Sequence, residues 1–290
     1  MNKKLCVIIN CYGAIDTLEE NIFKLRRKTN DGVHIELIFS DSSPENVYRN
    51  NDLYLKCILD EQYFIHLKLE NRGAPFALNK AIEFSLKNYN PDLIMILTDD
   101  AIIKQDVPYN DIFEYFFKNC RSDKDVLLLT YNSDVIALKE TKRSTENGLI
   151  SSPQLFYKNK FREDLIMDQF DLLFSDEIYK NGGKIFVFPS PVLTVRLIGT
   201  EKNGNHNFLP PWRNFLLVRN TLSLWLEKKN KLFKDVLIQN FIWSSKAIIF
   251  SRRDMKLLYF KAIYLGILDG ISHKLGITRN LNELSNNRFR

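Results

Sequence analysis

The chain has 290 residues, of which 45% are hydrophobic and 26% are charged, and its formal net charge is +6. This composition excludes a disordered or fibrous chain, and the length suffices for one large α/β domain or for a domain with an appendage. The four cysteines include no Cys-x-x-Cys pair, which argues against a zinc site or a disulfide framework and fits a reducing compartment.

Short apolar runs that end in polar residues predict strands, and apolar residues spaced three or four apart predict helices. The predicted strands are residues 5–9, 35–39, 64–69, 94–97, 126–130 and 184–189. The predicted helices follow a capping box at Thr17-x-x-Glu20, run from 75 to 88, end near 179, and cover most of 212–275. Strands that alternate with helices predict βαβ units and a mainly parallel sheet, and therefore an α/β fold.

Polar residues follow the first four predicted strands at the points where these strands end. They are Asn10 and Tyr12, then Asp41, then residues 71–73, and then Asp99 and Asp100. The carboxyl ends of parallel strands share one edge of the sheet, and open α/β sheets bind their ligands there. We therefore expect these residues to line a single crevice.

Asp99 and Asp100 come directly after the apolar run 94–97. A hard divalent cation, held by one or two carboxylates and a substrate diphosphate, would offset their charge. The alternative is an Asp-Asp turn that ends the strand in water, and the residues alone leave both interpretations open. The sequence contains neither G-x-x-x-x-G-K-[ST] nor G-x-G-x-x-G, which argues against P-loop and dinucleotide-binding sites.

Several segments, taken together, resemble the family 2 glycosyltransferases, which have a GT-A fold. The segments Val7-Ile8-Ile9-Asn10-Cys11-Tyr12 and Glu36-Leu37-Ile38-Phe39-Ser40-Asp41-Ser42-Ser43 are similar to the amino-terminal part of that family. Asn71-Arg72-Gly73-x-x-x-Ala77-x-Asn79-x-Ala81-Ile82 is similar to the N-x-G…N-x-G/A-I segment of the family, and Thr98-Asp99-Asp100 falls at its D-x-D metal motif. Residues 156–183, around Met167-Asp168-Gln169-Phe170-Asp171, and residues 211–220 resemble a rhamnosyltransferase-like subgroup.

The resemblance covers roughly residues 5–225 and implies a Rossmann-like GT-A domain, which we place at residues 1–211, and the residue pattern adds a basic, aromatic-rich helical region over 212–290. It implies an inverting glycosyltransferase that depends on Mg²⁺ or Mn²⁺ and uses a UDP-, dTDP- or GDP-linked sugar. The acceptor would be a glycan or a lipid-linked hydroxyl, in cell-surface polysaccharide synthesis. The alternative is a non-catalytic GT-A relative that binds a nucleotide or a protein partner.

The resemblance also assigns roles to individual residues. Asp100 would bind the metal with help from Asp99, and Asp168 or Asp171 would be the general base. The i, i+3 spacing of the two base candidates would place both on one helix face if the helix has already begun there, and we prefer Asp168. The predicted nucleotide-sugar-binding residues are Asn10, Tyr12, Asp41, Arg72, Gly73, Asn79, Asp99, Arg196 and Arg219.

Two positions depart from the pattern of the family. Thr98 stands where an Asp is usual, and Arg196 stands where the subgroup often has the His of H-x-x-G, so Arg196 would bind phosphate directly through its guanidinium.

Ordinary structural roles remain open for each of the candidate residues taken singly. Asp41 could cap a turn and Asp168 a helix, while Arg213 and Arg219 could be solvated charges.

The positive charge is concentrated at the carboxyl-terminal end. Residues 212–290 contain 15 Lys and Arg against 5 Asp and Glu, a net charge of +10, which leaves −4 for residues 1–211. Apolar stretches there, such as 215–218 and 236–250, are interleaved with Lys and Arg, and the region holds all three tryptophans. We favour amphipathic helices on a membrane surface over helices whose basic face is in water, and no nucleic-acid-binding module is recognisable.

No targeting or membrane-spanning segment is predicted. The apolar run 5–9 is too short for a secretory signal, and no stretch approaches the ~20 apolar residues of a transmembrane helix. We therefore expect a cytoplasmic protein, or one that is peripheral on the inner face of a membrane.

Overall fold

A computed structural model describes residues 3–12, 20–21, 28–30, 32–43, 64–104, 107–130, 139–143, 145–195, 201–203 and 206–286. The predicted helix after Thr17 lies largely outside these described residues. Backbone packing divides the chain into two compact units, and we describe each one separately. The sheet unit comprises Met1–Phe161 and Asp171–Arg196, and the helical unit comprises Arg162–Phe170 and Leu197–Arg290.

The sheet unit alternates strands and helices along the chain. Its first elements are β1 (Lys3–Cys11), β2 (Lys28–Asn30), β3 (Val33–Asp41), β4 (Ile65–Lys68), α1 (Ala74–Asn88), β5 (Leu93–Thr98), β6 (Ala101–Ile103) and α2 (Tyr109–Asn119). Next come β7 (Val126–Thr130), β8 (Glu140–Thr141), β9 (Leu149–Ser151), α3 (Pro153–Lys158), α4 (Phe170–Lys180), β10 (Ile185–Pro191) and β11 (Leu193–Val195). The six predicted strands are all present.

Nine of the described strands form one sheet in the order β2-β3-β1-β5-β9-β7-β10-β8, with β4 beside the end of β3. The longest pairings, β1 with β3 and β1 with β5, are parallel, as are β3 with β4 and β7 with β10. The prediction of a mainly parallel central sheet is therefore confirmed. Residues 5–9 of β1 are at most 1% exposed, as expected for a parallel strand that is covered on both faces.

Besides the antiparallel strands β2 and β8, three short strands depart from the simple parallel pattern. β9 inserts antiparallel between β5 and β7, and β6 pairs with β11 in a separate antiparallel ribbon. Each of them has only three residues, so none shows the periodicity from which strands are predicted. β6 begins two residues after the turn at Asp99, so the turn is held between two regular strands.

The helical unit contains β12 (Glu201–Asn203), β13 (His206–Phe208), α5 (Pro211–Lys228), α6 (Lys231–Phe250), α7 (Arg253–Ile271) and α8 (Arg279–Leu284). α7 packs closely on α5, because a Cβ at Gly266 would lie 2.9 Å from the carbonyl oxygen of Phe215, and one at Gly270 would lie 3.0 Å from that of Arg219. The predicted helical carboxyl-terminal part is confirmed. None of the helices in the described parts of the chain could cross a bilayer.

The predicted domain limit at residue 211 coincides with the first residue of α5. The helical unit, however, also takes in residues 162–170 and the chain from 197 onward. Asp168 therefore belongs to the helical unit, whereas Asp171 belongs to the sheet unit.

Gly148 provides a test of the tight junction between β5 and β7. Its φ is +84°, and a Cβ there would overlap the carbonyl oxygen of Leu129 and lie 2.8 Å from Cδ1 of Leu193. We expect Gly148→Ala to lower the free energy of unfolding by ~2–5 kcal/mol, through backbone strain and overpacking. Gly182 is the matched control, because its φ is +79° but its Cβ would meet no atom within 4 Å.

Gly182→Ala should lose only ~1–2 kcal/mol from the left-handed conformation. Urea titration followed by circular dichroism measures both variants. Equal losses in the two variants would contradict the close approach at Gly148.

Candidate functional site

The parallel register brings the predicted polar residues together at one edge of the sheet. Asn10 pairs with Ser40 on one side and with Thr98 on the other, and Cys11 pairs with Asp41. The side chains that follow β1, β3 and β5 therefore lie next to one another. This places Asn10, Tyr12, Asp41, Asp99 and Asp100 in a single cluster at the carboxyl ends of the strands.

Asp99 connects the end of β5 to the end of β1. Its backbone N–H donates to the carbonyl oxygen of Asn10 at 3.0 Å, and its Oδ2 accepts the backbone N–H of Tyr12 at 2.7 Å. These two bonds fix the turn that carries Asp100. The strand-end turn is therefore an integral part of the cluster.

Asp100 is the partly exposed carboxylate of this turn. The hydroxyl of Thr98 donates a short hydrogen bond to its Oδ1, and no other hydrogen bond or ion pair to Asp100 occurs within the described residues. Nor do those residues contain a group of three or more His, Cys, Asp or Glu arranged around a metal. The pair Asp99 and Asp100 fits a cation that takes one or two carboxylates and completes its shell with phosphates and water, as Mg²⁺ does.

Asp41 is almost fully buried, with 1% of its surface exposed. Its Oδ1 accepts the backbone N–H of Ser43 at 2.8 Å, and its Oδ2 accepts from Nε2 of His66 at 2.9 Å and from Nζ of Lys68 at 3.2 Å. Burial raises the pKa of this carboxyl, but the hydrogen bonds from His66 and Ser43 and the charge of Lys68 outweigh burial. They hold the pKa of Asp41 well below its usual range.

Asn10 contributes an unpaired acceptor to the cluster. Its Oδ1 is buried and has no hydrogen-bond partner among the described residues. A buried acceptor without a donor is unfavourable by ~1–3 kcal/mol, and a donor group on a ligand would remove that penalty. Asn10 Oδ1 is therefore an acceptor at this edge that a ligand donor could use.

The N-x-G…N segment begins α1. Gly73 is the residue before the helix and has φ +99°, which favours glycine. The guanidinium of Arg72 stacks over the ring of Phe76 at 4.2 Å from its centre. The amide of Asn79 forms two hydrogen bonds with the backbone of Phe161, at 2.8 and 3.0 Å. Asn79 therefore connects α1 to the segment that ends at Phe161.

Arg196, which was predicted to bind phosphate, lies outside the residues that the structure describes.

The loop that carries Asp168 has a strained backbone. Ile166, Asp168 and Gln169 have φ of +66°, +60° and +71°. Non-glycine residues, and β-branched ones above all, rarely adopt this region, and such strain clusters at functional sites. The conformation therefore needs strong external support.

Asn220 of α5 supplies that support. Its Nδ2 donates to the carbonyl oxygens of Leu165 and Met167, both at 2.8 Å, and of Asp168 at 3.1 Å. The carboxylate of Asp168 accepts two hydrogen bonds from Arg213, the shorter at 2.6 Å. The resemblance pointed to this R…R-N segment, but the sequence did not reveal the contacts of Asn220 or the pairing of Arg213 with Asp168.

Arg219 is buried rather than solvated, with 0% exposure. Its Nε donates to Oδ1 of Asn220 at 2.9 Å and its Nη1 to the carbonyl oxygen of Gly276 at 2.8 Å. Burial lowers the pKa of the guanidinium to about 10, against the opposing charges of Asp269 and Asp164, so it is charged at neutral pH. As placed, Arg219 orients Asn220, and contact with a diphosphate would require it to leave the interior.

Asp171 lies in the first turn of α4, which begins at Phe170. Its Oδ1 accepts the backbone N–H of Leu172 at 2.8 Å. Because Asp168 precedes the helix, the condition for both carboxylates to share one helix face is not met. The two base candidates therefore have different surroundings.

Parts of the chain are similar to known proteins. No protein-family model matches the chain. Poly-β-1,6-N-acetyl-D-glucosamine synthases of Staphylococcus aureus strains MSSA476 and MW2 are 30% identical to it over 131 residues, which is 43% of this chain. The match covers only 27% of the length of those relatives.

Three solved structures resemble the chain at low sequence identity. S. aureus TarS has a TM-score of 0.58 at 14% identity, over 97% of this chain and 50% of TarS. TarS 1–349 in complex with UDP-GlcNAc gives 0.54 at 14% identity, over 97% and 83%. The mannosyltransferase PcManGT from Pyrobaculum calidifontis, in complex with GDP-Man and Mn²⁺, gives 0.55 at 12% identity, over 94% and 88%. The chain therefore has the α/β fold of GT-A glycosyltransferases.

The buried Asp41 cluster yields a prediction about stability and pH. We expect Asp41→Asn to lower the free energy of unfolding at pH 7 by ~1–3 kcal/mol, because the donors of Ser43, His66 and Lys68 lose a charged acceptor. The folded-state pKa is depressed, so the contribution is complete above the unfolded pKa of ~3.9 and is lost as pH falls below it. Urea titrations at pH 7, 5 and 3 measure this difference.

The exposed residue Asp111 provides the control, and Asp111→Asn should change stability little at any of these pH values. A stability difference between Asp41→Asn and the unmodified chain that stays constant down to pH 3 would contradict the assignment.

Proposed function

We propose that the chain is an inverting glycosyltransferase that moves a sugar from a nucleoside diphosphate to a hydroxyl of a glycan or a lipid-linked acceptor. The observation that carries the proposal is the cluster of Asn10, Tyr12, Asp41, Asp99 and Asp100 at the carboxyl edge of the sheet. The names of the similar proteins support it, because they include a polysaccharide synthase, a complex with UDP-GlcNAc and a complex with GDP-Man. They also support a role in cell-surface polysaccharide synthesis.

In this proposal the edge cluster binds the donor. Asp100 and Asp99 would hold Mg²⁺ or Mn²⁺, which, when bound, would neutralise the charge that develops on the leaving diphosphate. Asn10 offers its unpaired Oδ1 to a donor group of the nucleoside, and Tyr12 and Asp41 frame the same pocket. On the resemblance alone, the remaining donor contacts are predicted at Arg72, Gly73, Asn79, Arg196 and Arg219.

We assign Asp168 as the general base. It would take the proton of the acceptor hydroxyl while that oxygen attacks the anomeric carbon and the bond to the diphosphate breaks. Arg213 holds the carboxylate in one orientation, and Asn220 holds the strained backbone on either side of it. Such local strain, maintained by dedicated contacts, supports a functional role for this loop.

A non-catalytic GT-A relative is the second candidate. Thr98 favours it, because a hydroxyl replaces the first carboxylate of the metal motif. In the structure this hydroxyl donates to Asp100, so it can still orient the remaining ligand. The two candidates differ in whether loss of Asp100 or Asp168 changes turnover.

Asp100 provides a test of metal dependence. Asp100→Asn should reduce transfer by ~10²-fold or more, because the amide cannot offset the charge of the cation. Activity with a panel of UDP-, dTDP- and GDP-sugars, with Mn²⁺ or Mg²⁺ and then with EDTA, measures it. Asp111→Asn is the surface control and should retain full activity. Undiminished turnover of Asp100→Asn, or full activity in EDTA, would refute the metal assignment.

Asp168 provides a test of the general base. Asp168→Asn should bind the donor normally yet lose ~10²–10⁴-fold in kcat, since the amide cannot accept a proton. Asp171→Asn is the matched control, because it also removes a single carboxylate from this part of the chain. If Asp171→Asn were inactive and Asp168→Asn nearly normal, the roles would be reversed. If neither variant lost activity while nucleotide still bound, the non-catalytic relative would be the better account.

A further inference from the structure

The two long helices that follow α5, which are α6 and α7, have large apolar side chains that are exposed to solvent. On α6 these are Ile238, Ile242, Trp243 and Ile249, each at least 50% exposed. The spacing of Ile238, Ile242 and Ile249 places them on one side of the helix with Trp243 at the flank of this stripe, whereas Phe233, Val236, Leu237, Ser244 and Ala247 are buried.

α7 repeats this arrangement. Leu257, Phe260, Tyr264, Leu268 and Ile271 follow one another at intervals of three or four residues, and Leu257 is 77% exposed. The opposite side carries Gly266 and Gly270, which contact α5. We refer to the exposed side chains of the two helices, named above, as the α6–α7 face.

Unpaired cations accompany this face. Lys246 lies among the exposed residues of α6, Arg253 lies one turn before Leu257, and Lys256 lies beside the α7 stripe. None of these three side chains has a hydrogen bond or an ion pair within the described part of the chain. Across residues 231–271 there are 7 Lys and Arg against 3 Asp and Glu, and one of the acids, Asp269, is buried.

We infer that the α6–α7 face docks on an anionic lipid surface, with its apolar side chains among the acyl chains and its cations at the headgroups. An in-plane helix has this combination of a broad apolar face and flanking Lys and Arg. Trp243 and Tyr264 suit the boundary, because each ring has an apolar body and a polar edge.

The charges favour lipid over a second copy of the chain as the occupant. A two-fold contact through this face would bring Lys246, Arg253 and Lys256 close to their own counterparts, with few acids to offset them. A layer of phosphate headgroups offers the complementary charge instead. No described helix is apolar enough to span the bilayer, so the proposed contact is peripheral. The inference rests on the helical unit alone and does not need the proposed reaction.

Sedimentation with vesicles tests the inference without any activity measurement. We expect the chain to bind vesicles of 70% phosphatidylcholine and 30% phosphatidylglycerol at low salt, and to be released by 0.5 M NaCl. Leu257→Gln combined with Phe260→Gln should weaken partitioning at least tenfold, as should Lys246→Glu combined with Lys256→Glu. Since Lys246, Leu257 and Phe260 are exposed and Lys256 is partly exposed, circular dichroism should show that both variants are folded.

The matched control is Phe117→Gln combined with Tyr157→Gln, which removes two equally exposed aromatic residues of the sheet unit and should leave partitioning unchanged. Failure of the unmodified chain to sediment at low salt would overturn the inference. Equal binding to pure phosphatidylcholine, or equal loss in the control, would also overturn it. So would a dimer, seen by analytical ultracentrifugation, that Leu257→Gln with Phe260→Gln dissociates while vesicle binding persists.

Discussion

The parallel pairing of β1 with both β3 and β5 is the constraint on which the candidate site depends. Because β1 lies between these two strands, their carboxyl ends meet and three carboxylates come to lie at one edge. Such a concentration of negative charge is tolerable only with internal donors or an external cation. Asp41 receives its donors from Ser43, His66 and Lys68, and Asp99 receives one from Tyr12. Among the described residues, Asp100 receives a side-chain hydrogen bond from the Thr98 hydroxyl alone, which supports the cation proposed there from the family resemblance.

A second constraint acts in the helical unit, where Asp168 and two of its neighbours, Ile166 and Gln169, have positive φ. The Asn220 amide binds three carbonyl oxygens of this loop, Arg219 orients that amide, and Arg213 binds the carboxylate. Glycines at 266 and 270 let α7 approach α5, from which all three side chains extend. The packing of the helices thus supports the loop, while their outer apolar side chains remain available for another partner.

The sequence allowed the long central strands to be predicted because each is a continuous apolar run with a polar end. Asp41, Asp99 and Asp100 could be predicted together, since strand order alone brings their positions to one edge. The strands β6, β9 and β11 could not be predicted, because three residues are too few to show the alternation of apolar and polar side chains that identifies a strand. Arg219 could not be recognised as buried, because burial of an Arg depends on distant partners such as the carbonyl of Gly276. The role of Asn220 depends likewise on a loop more than fifty residues earlier.

The central claim is that the carboxyl edge of the sheet binds a nucleotide sugar. Hydrogen–deuterium exchange tests it most directly, with UDP-, dTDP- and GDP-sugars added one at a time in the presence of Mn²⁺. We predict that at least one of them will slow exchange at residues 10–12 and 98–101 and leave α2 unchanged. Absence of protection with every sugar nucleotide at millimolar concentration, or protection confined to other parts of the chain, would contradict the account.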